Sequence, residues 1–150
     1  MIVLDANILI RAALGRQALW LLETYGGHGI RFFAPDVAFT DAQKYLPPLL
    51  IKRGKPLAGL PATIESLRKM IESIGRDLYL PFEAEARQCL TGRGEDDWPV
   101  LASALGLAFA IWTEDSDFLG TGVAVWTTSR IEIFLEARIR ELESSTIDEF

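Results

Sequence analysis

The stretch Met1-Ile2-Val3-Leu4-Asp5-Ala6-Asn7, continued by Ile8 to Leu14 and closed by Gly15, decides the fold class. Ile2-Val3-Leu4 is short and wholly apolar, as a central parallel strand is when both of its faces are covered. Asp5 follows at once, and Ala6 to Leu14 then reads as a helix stopped by Gly15. Strand, acid and helix in that order make the first unit of an open α/β sheet. The carboxyl end of such a strand is where these sheets build sites. A carboxylate placed there meets water, a cation or a ligand, because an unpaired buried charge is costly.

The same alternation continues along the chain. Arg16 to Tyr25 reads as a second helix, followed by a break at Gly26, Gly27 and Gly29. Ile30 to Ala34 reads as strand two. Pro35 suits the first turn of a helix that runs toward Leu46 and ends at Pro47-Pro48. Ile51 to Pro61 is basic and turn-rich. Ala62 to Ile74 has helical spacing at Ile64, Leu67, Ile71 and Ile74, and Leu78-Tyr79-Leu80 is expected as strand three. Phe82 to Leu90 and Asp97 to Leu105 read as helices, with Ala108 to Thr113 as strand four and Val123 to Trp126 as strand five. Ser129 and Glu132 are spaced as a capping box for the last helix. The alternation predicts a parallel sheet with helices on both faces. Residues 1–143 form one domain in this reading, and Ser144 to Phe150 a frayed tail.

Composition narrows the function. With a net charge of −6, the chain is not a general polyanion binder, so nucleic acid would need a metal or a local basic patch. Lys44, Lys52, Arg53 and Lys55 could form such a patch, as could Arg11 and Arg16; each is equally an ordinary solvated residue. Cys89 is the only cysteine, which excludes an internal disulfide and fits a reducing, cytoplasmic setting. The N-terminus has no basic n-region of a signal peptide. The longest uncharged run, Trp98 to Thr113, falls short of the ~18 residues of a membrane span. Neither His28 nor Cys89 has metal-ligating company, so a structural zinc site is not expected. Gly26-Gly27-His28-Gly29 precedes a strand rather than following one, so it is not a dinucleotide fingerprint, and Trp98 and Trp112 read as core.

Four acids remain at the stations where a site would form: Asp5, Asp41, Asp97 and Asp115. Each also has an ordinary reading. Asp5 and Asp97 could cap helices, Asp115 could end a strand in a turn, and Asp41 could lie on a solvated helix face. Their combination carries more weight, because a switch point beside strands one and four would gather Asp5 and Asp115, and a helix start near that rim would add Asp97.

Three elements together resemble the PIN-domain ribonucleases, including the VapC-type toxins: Leu4-Asp5-Ala6-Asn7, the Asp97 helix with Ala102 and Ala104, and Thr113-Glu114-Asp115-Ser116-Asp117-Phe118. The resemblance implies a three-layer fold with a five-stranded parallel sheet of order 3-2-1-4-5. It implies acids around magnesium or manganese at Asp5, Asp97 and Asp115, with Asp117 assisting. The second acid of that family is usually Glu; here the matching stretch Val37-Ala38-Phe39-Thr40-Asp41 supplies Asp41, one methylene shorter. Asp36 and Asp96 are spare candidates if the register shifts. Carboxylates suit such an ion because it is a hard cation that prefers oxygen.

The expected activity is metal-dependent endonucleolytic cleavage of RNA. The resemblance further implies a toxin restrained by an antitoxin protein, and a homodimer. The alternative from another class is a catalytically inactive PIN-like module that binds protein or RNA. A haloacid-dehalogenase-type phosphohydrolase is disfavoured because Asn7 stands where a second Asp is required. A response-regulator receiver is disfavoured because Pro81 and Thr127 stand where its Asp and Lys would be.

Overall fold

Ile2-Val3-Leu4 forms the predicted strand, and all three residues are fully buried. The computed structural model describes the backbone of residues 1–148. In chain order it contains β1 (Ile2–Leu4), α1 (Ala6–Leu14), α2 (Gln17–Gly27), β2 (Phe32–Pro35), α3 (Asp36–Lys52), α4 (Leu60–Met70) and β3 (Ile71–Ile74). There follow α5 (Arg76–Tyr79), α6 (Glu83–Cys89), α7 (Trp98–Leu107), β4 (Ala110–Trp112), β5 (Val125–Trp126) and α8 (Ile131–Asp148). The strands form one sheet of order β3-β2-β1-β4-β5, and every neighbouring pair is parallel. This is the predicted order, with β1 at the centre.

Alternation along each strand splits the core in two. Ile2, Leu4, Phe32, Ala34 and Trp112 face a layer formed by α1, α2, α3, α4 and α8. Val3, Phe33 and Ile111 face the opposite layer, where α5, α6 and α7 lie. Successive residues therefore bury on opposite sides, which explains why the central strands carry apolar residues without interruption. Among the described residues, no helix is long and apolar enough to cross a membrane.

The structure corrects the sequence reading in three places. Strand three is Ile71–Ile74, not Leu78-Tyr79-Leu80. Ile71 and Ile74 are three apart, which puts them on one face of a helix but on opposite faces of a strand. Because both faces of the sheet are covered, each finds a core: Ile71 packs with the first layer and Ile74 with the second. Leu78 and Leu80 are exposed and flank the buried Tyr79. Next, α3 does not stop at Pro47-Pro48 but continues to Lys52. The two prolines remove bonds to the carbonyls of Gln43 and Lys44, which are exposed and so open to solvent, while Leu46 and Leu50 keep the following turn on the core. The capping box is also not formed. Ser129 Oγ pairs with Thr127 Oγ1 at 3.1 Å, and Glu132 accepts from the Tyr25 hydroxyl at 3.0 Å. α8 runs to Asp148, and Glu149 and Phe150 of the expected tail lie outside the described residues.

Candidate metal centre

The chain leaves β1 through Asp5, whose backbone N–H still bonds Trp112 of β4 at 3.2 Å. Asp5 keeps an extended backbone (φ −81°, ψ 159°) while the next residue enters α1. Its Oδ1 accepts from Ala6 N–H at 2.7 Å, so it is indeed a helix cap. Oδ2 faces the other way and accepts from Thr113 Oγ1 at 2.9 Å and Asn7 Nδ2 at 3.1 Å. The two readings of Asp5 are therefore compatible: one oxygen caps and the other joins the site. With 7% of its surface exposed, Asp5 has a pKa raised chiefly by burial. The bonds from Thr113 and Ala6 act against that rise, and the charges of Asp115 and Asp41 add to it.

Thr113 is the joint of the centre. It follows β4, is fully buried, and gives Asp5 its hydroxyl proton. The same oxygen accepts from Asn7 Nδ2 at 3.1 Å and from Asp115 N–H at 3.0 Å. Asp115 Oδ1 in turn accepts from Asp117 N–H at 2.9 Å, closing a 3-10 turn over Ser116–Phe118. Fully buried Phe118 anchors that turn in the second core layer. The spacing Thr113-x-Asp115-x-Asp117-Phe118 thus has a physical reason. The hydroxyl ties the first acid to the strand carrying the third, one carboxylate orients the next, and the ring holds the turn in place.

Asp97 reaches the same place from the start of α7. It occupies the N-cap position, with Pro99 in the first turn, yet its side chain makes no capping bond. Its carboxylate lies with those of Asp115 and Asp117, where ligand oxygens of all three fall within 4.8 Å of one another. Asp97 is half-buried, and its pKa is pushed up to about 7. Burial is the main cause, followed by the charges of Asp5 and Asp115, hydrogen bonding with Asp115, and the charge of Asp117. A carboxyl at about 7 retains much of its proton in neutral solution, so the protein by itself leaves this charge cluster incompletely ionised.

The structure brings Asp97, Asp115 and Asp117 together, with Asp5 coupled to them through Thr113 and through its charge. Asp117 is a full member of the cluster, although the sequence suggested only an assisting place. Asp41 stays outside it: its side chain is exposed on α3, with a pKa raised by burial and partly lowered by Lys44, but its charge still reaches Asp5. Asp36 is committed elsewhere, since its Oδ1 accepts from Tyr79 Oη at 2.6 Å and from Val37 N–H at 2.8 Å. Asp96 is exposed in the turn before α7.

Sequence reasoning missed three residues. Asn7 donates to Asp5 and Thr113, and its Oδ1 accepts from Glu114 N–H at 3.3 Å. Thr113 stood out only as part of a motif. Gly94 has φ +106°, and a Cβ there would lie 2.9 Å from Asp117 Oδ2 and 3.6 Å from Asp97 Oδ2. A glycine beside an acidic run is the one local signal that could have marked it, since close approach and positive φ are what glycine permits.

Oxygen-only donors at this density suit a hard divalent cation, and the raised pKa of Asp97 is the strain such a cation would relieve. The residues present therefore fit a resident metal ion. A search of curated proteins finds no match. A family model described as "PIN domain" matches residues 3–136, from β1 into the first third of α8, and so covers Asp5, Asp36, Asp41, Asp96, Asp97, Asp115 and Asp117. The chain belongs to the PIN-domain family.

Proposed function

We propose that this protein is a metal-dependent endoribonuclease, with Asp97, Asp115 and Asp117 holding Mg2+ or Mn2+ and Asp5 completing the charge around it. The observation that carries this reading is the convergence of three half-buried carboxylates within 4.8 Å at the carboxyl end of β4 and the start of α7. When bound, such a cation neutralises charge developing on a phosphodiester and acidifies a water. The chain's own residues do the rest. Thr113 and Asn7 hold Asp5 Oδ2 by donating to it, and the Thr113 bond favours its charged form against the burial that raises its pKa. Asp115 fixes the backbone of Asp117, and Gly94 leaves room above Asp97 and Asp117 for a ligand to approach. Asp41, at the exposed rim, orients groups arriving from solvent rather than gripping the ion.

The finer reading is a toxin of a toxin–antitoxin pair, acting in the cytoplasm as a homodimer and restrained by a small protein that covers the acids. RNA is the substrate in this reading. One observation favours the alternative of a non-catalytic binding module: Asp41 is exposed and outside the cluster, leaving one acid fewer than the family pattern implies. Incubating the protein with a broad panel of structured and single-stranded RNAs, with Mg2+, Mn2+ or EDTA, separates the two. Cleavage that EDTA abolishes is expected. Binding without cleavage under every metal condition would establish the module instead.

A further inference from the structure

A cavity of about 520 Å3, within the roughly 300–1,000 Å3 typical of small-ligand sites, reaches Asn7, the neighbour of Asp5. Three guanidinium side chains line it from three elements: Arg11 in the last turn of α1, Arg16 before α2, and Arg53 just past α3. All three are exposed, and no carboxylate lines the cavity. Among the described residues, none of the three forms a salt bridge or a side-chain hydrogen bond; Arg68, Arg76, Arg130 and Arg140 are equally without an acidic partner, but only Arg11, Arg16 and Arg53 share this cavity. In a chain of net charge −6, three unpartnered arginines around one cavity are a local reversal of sign. Ile10, Leu14 and Leu49 supply an apolar floor. Asn7 belongs to both places: it lines the cavity, and its amide donates to Asp5 at 3.1 Å.

We propose that this cavity is a nucleotide subsite for single-stranded RNA, in which Arg11, Arg16 and Arg53 hold the phosphate neighbouring the scissile linkage and the apolar floor carries its base or sugar. The proposal deepens the ribonuclease reading and rests on it for the position of the scissile bond. Guanidinium forks match phosphate oxygens in pairs, and charge-assisted bonds of that kind are the strong ones. Asn7 joins the cavity to Asp5, so the proposed strand would run from the arginines past Asp5 toward the acids. The competing explanation is that Arg11 and Arg53 only complement the negative ends of the α1 and α3 dipoles.

The test is fluorescence anisotropy with short fluorescein-labelled single-stranded RNAs of uridine and of mixed sequence, in EDTA so that the strand stays whole. The triple variant Arg11→Gln/Arg16→Gln/Arg53→Gln should raise Kd by about tenfold or more, the worth of one charge-assisted hydrogen bond. Its salt dependence should flatten by roughly 0.7 in slope for each phosphate that the variant no longer neutralises. In cleavage assays KM should rise with kcat nearly unchanged, because the guanidinium groups hold substrate and transition state alike. Circular dichroism checks the fold, and single variants keep the test open if the triple variant unfolds. An unchanged Kd and slope would overturn the subsite, even if the wild type cleaves RNA normally. A lower melting temperature with unchanged binding would likewise leave the helix-dipole role as the right one. Tighter binding to a labelled poly-glutamate probe than to RNA would overturn the proposal in favour of an acidic protein partner. Arginine-dependent RNA binding without any cleavage would instead keep the subsite and remove the nuclease reading.

Discussion

Asp97→Asn is expected to stabilise the metal-free protein, and the pH dependence of that gain tests the electrostatics of the centre. Asp97 has a folded pKa of about 7 against an ordinary 3.8. Between those values the folded protein binds more protons than the unfolded chain, so stability falls as pH rises across the window. Above about 7 the full penalty is present; below the unfolded value near 3.8 it is gone. At 1.36 kcal/mol per pKa unit the ceiling is about 4 kcal/mol. Asp97 is only half-buried, and solvent screening brings a realistic figure to roughly 2 kcal/mol. For a chain of this length that is about 4–8 °C in melting temperature.

The assay is thermal melting of wild type and variant in EDTA from about pH 4 to about pH 8, read as the difference between the two at each pH. Carboxylates remote from the centre cancel in that difference, whereas Asp5, Asp115 and Asp117 feel the lost charge of Asp97 and contribute to its pH dependence. The variant should melt higher at the alkaline end, and the gap should close toward the acidic end. Added Mg2+ should reverse the order, since a ligand of the folded state contributes about 2.7 kcal/mol at a hundredfold excess over its dissociation constant. The variant, lacking one carboxylate, should gain less. A gap that does not change with pH, or a variant that melts below wild type at about pH 8, would refute the claim that burial and neighbouring charge load this carboxyl.

Further expectations follow from the same geometry. Asp5→Asn should melt lower than wild type in EDTA by about 1–3 kcal/mol, because an amide nitrogen would face the Thr113 hydroxyl and the Asn7 amide that now donate to Oδ2. Thr113→Val should cost a similar ~1–3 kcal/mol and weaken the melting gain from Mg2+, while Thr113→Ser keeps the hydroxyl and most of both. Gly94→Ala should destabilise by about 1–2 kcal/mol and lower RNA cleavage, since its φ of +106° and the 2.9 Å approach to Asp117 both exclude a Cβ. Ala108→Gly should raise the melting temperature by the equivalent of roughly 1 kcal/mol, because Ala108 ends α7 at φ 57°. In cleavage assays Asp97→Asn should remove most of the rate and Asp41→Ala much less, reflecting their places inside and outside the cluster.

The sheet was legible because its central strands are buried on both faces and therefore carry unbroken apolar runs: Ile2-Val3-Leu4 and Ala110-Ile111-Trp112 admit little else. Strand three was not, for the same physical reason seen from the edge. Ile71 and Ile74 satisfy a helical face and a two-sided strand equally well, and only the second core layer, built by residues far along the chain, decides between them. The continuation of α3 through Pro47-Pro48 has the same origin. Local chemistry argues for a stop, and the burial of Leu46 and Leu50 overrides it.

At the site, the positions of acids were legible but their division of labour was not. Sequence gives four stations spaced around a sheet rim; it does not show that Asp5 divides its two oxygens between a helix cap and Thr113, or that Asp97 leaves its own helix uncapped. That contrast separates the roles. Asp5 has three donors that hold it and offset part of its burial, so its removal should weaken the fold. Asp97 has no capping donor and three acidic neighbours, so its burial is uncompensated until a cation arrives. The opposite signs expected for Asp5→Asn and Asp97→Asn in EDTA make this distinction measurable without any knowledge of the RNA. If both variants melt higher, Thr113 and Asn7 do not hold Asp5 as the geometry indicates; if both melt lower, the cluster is a structural hydrogen-bond network rather than a prepared metal centre.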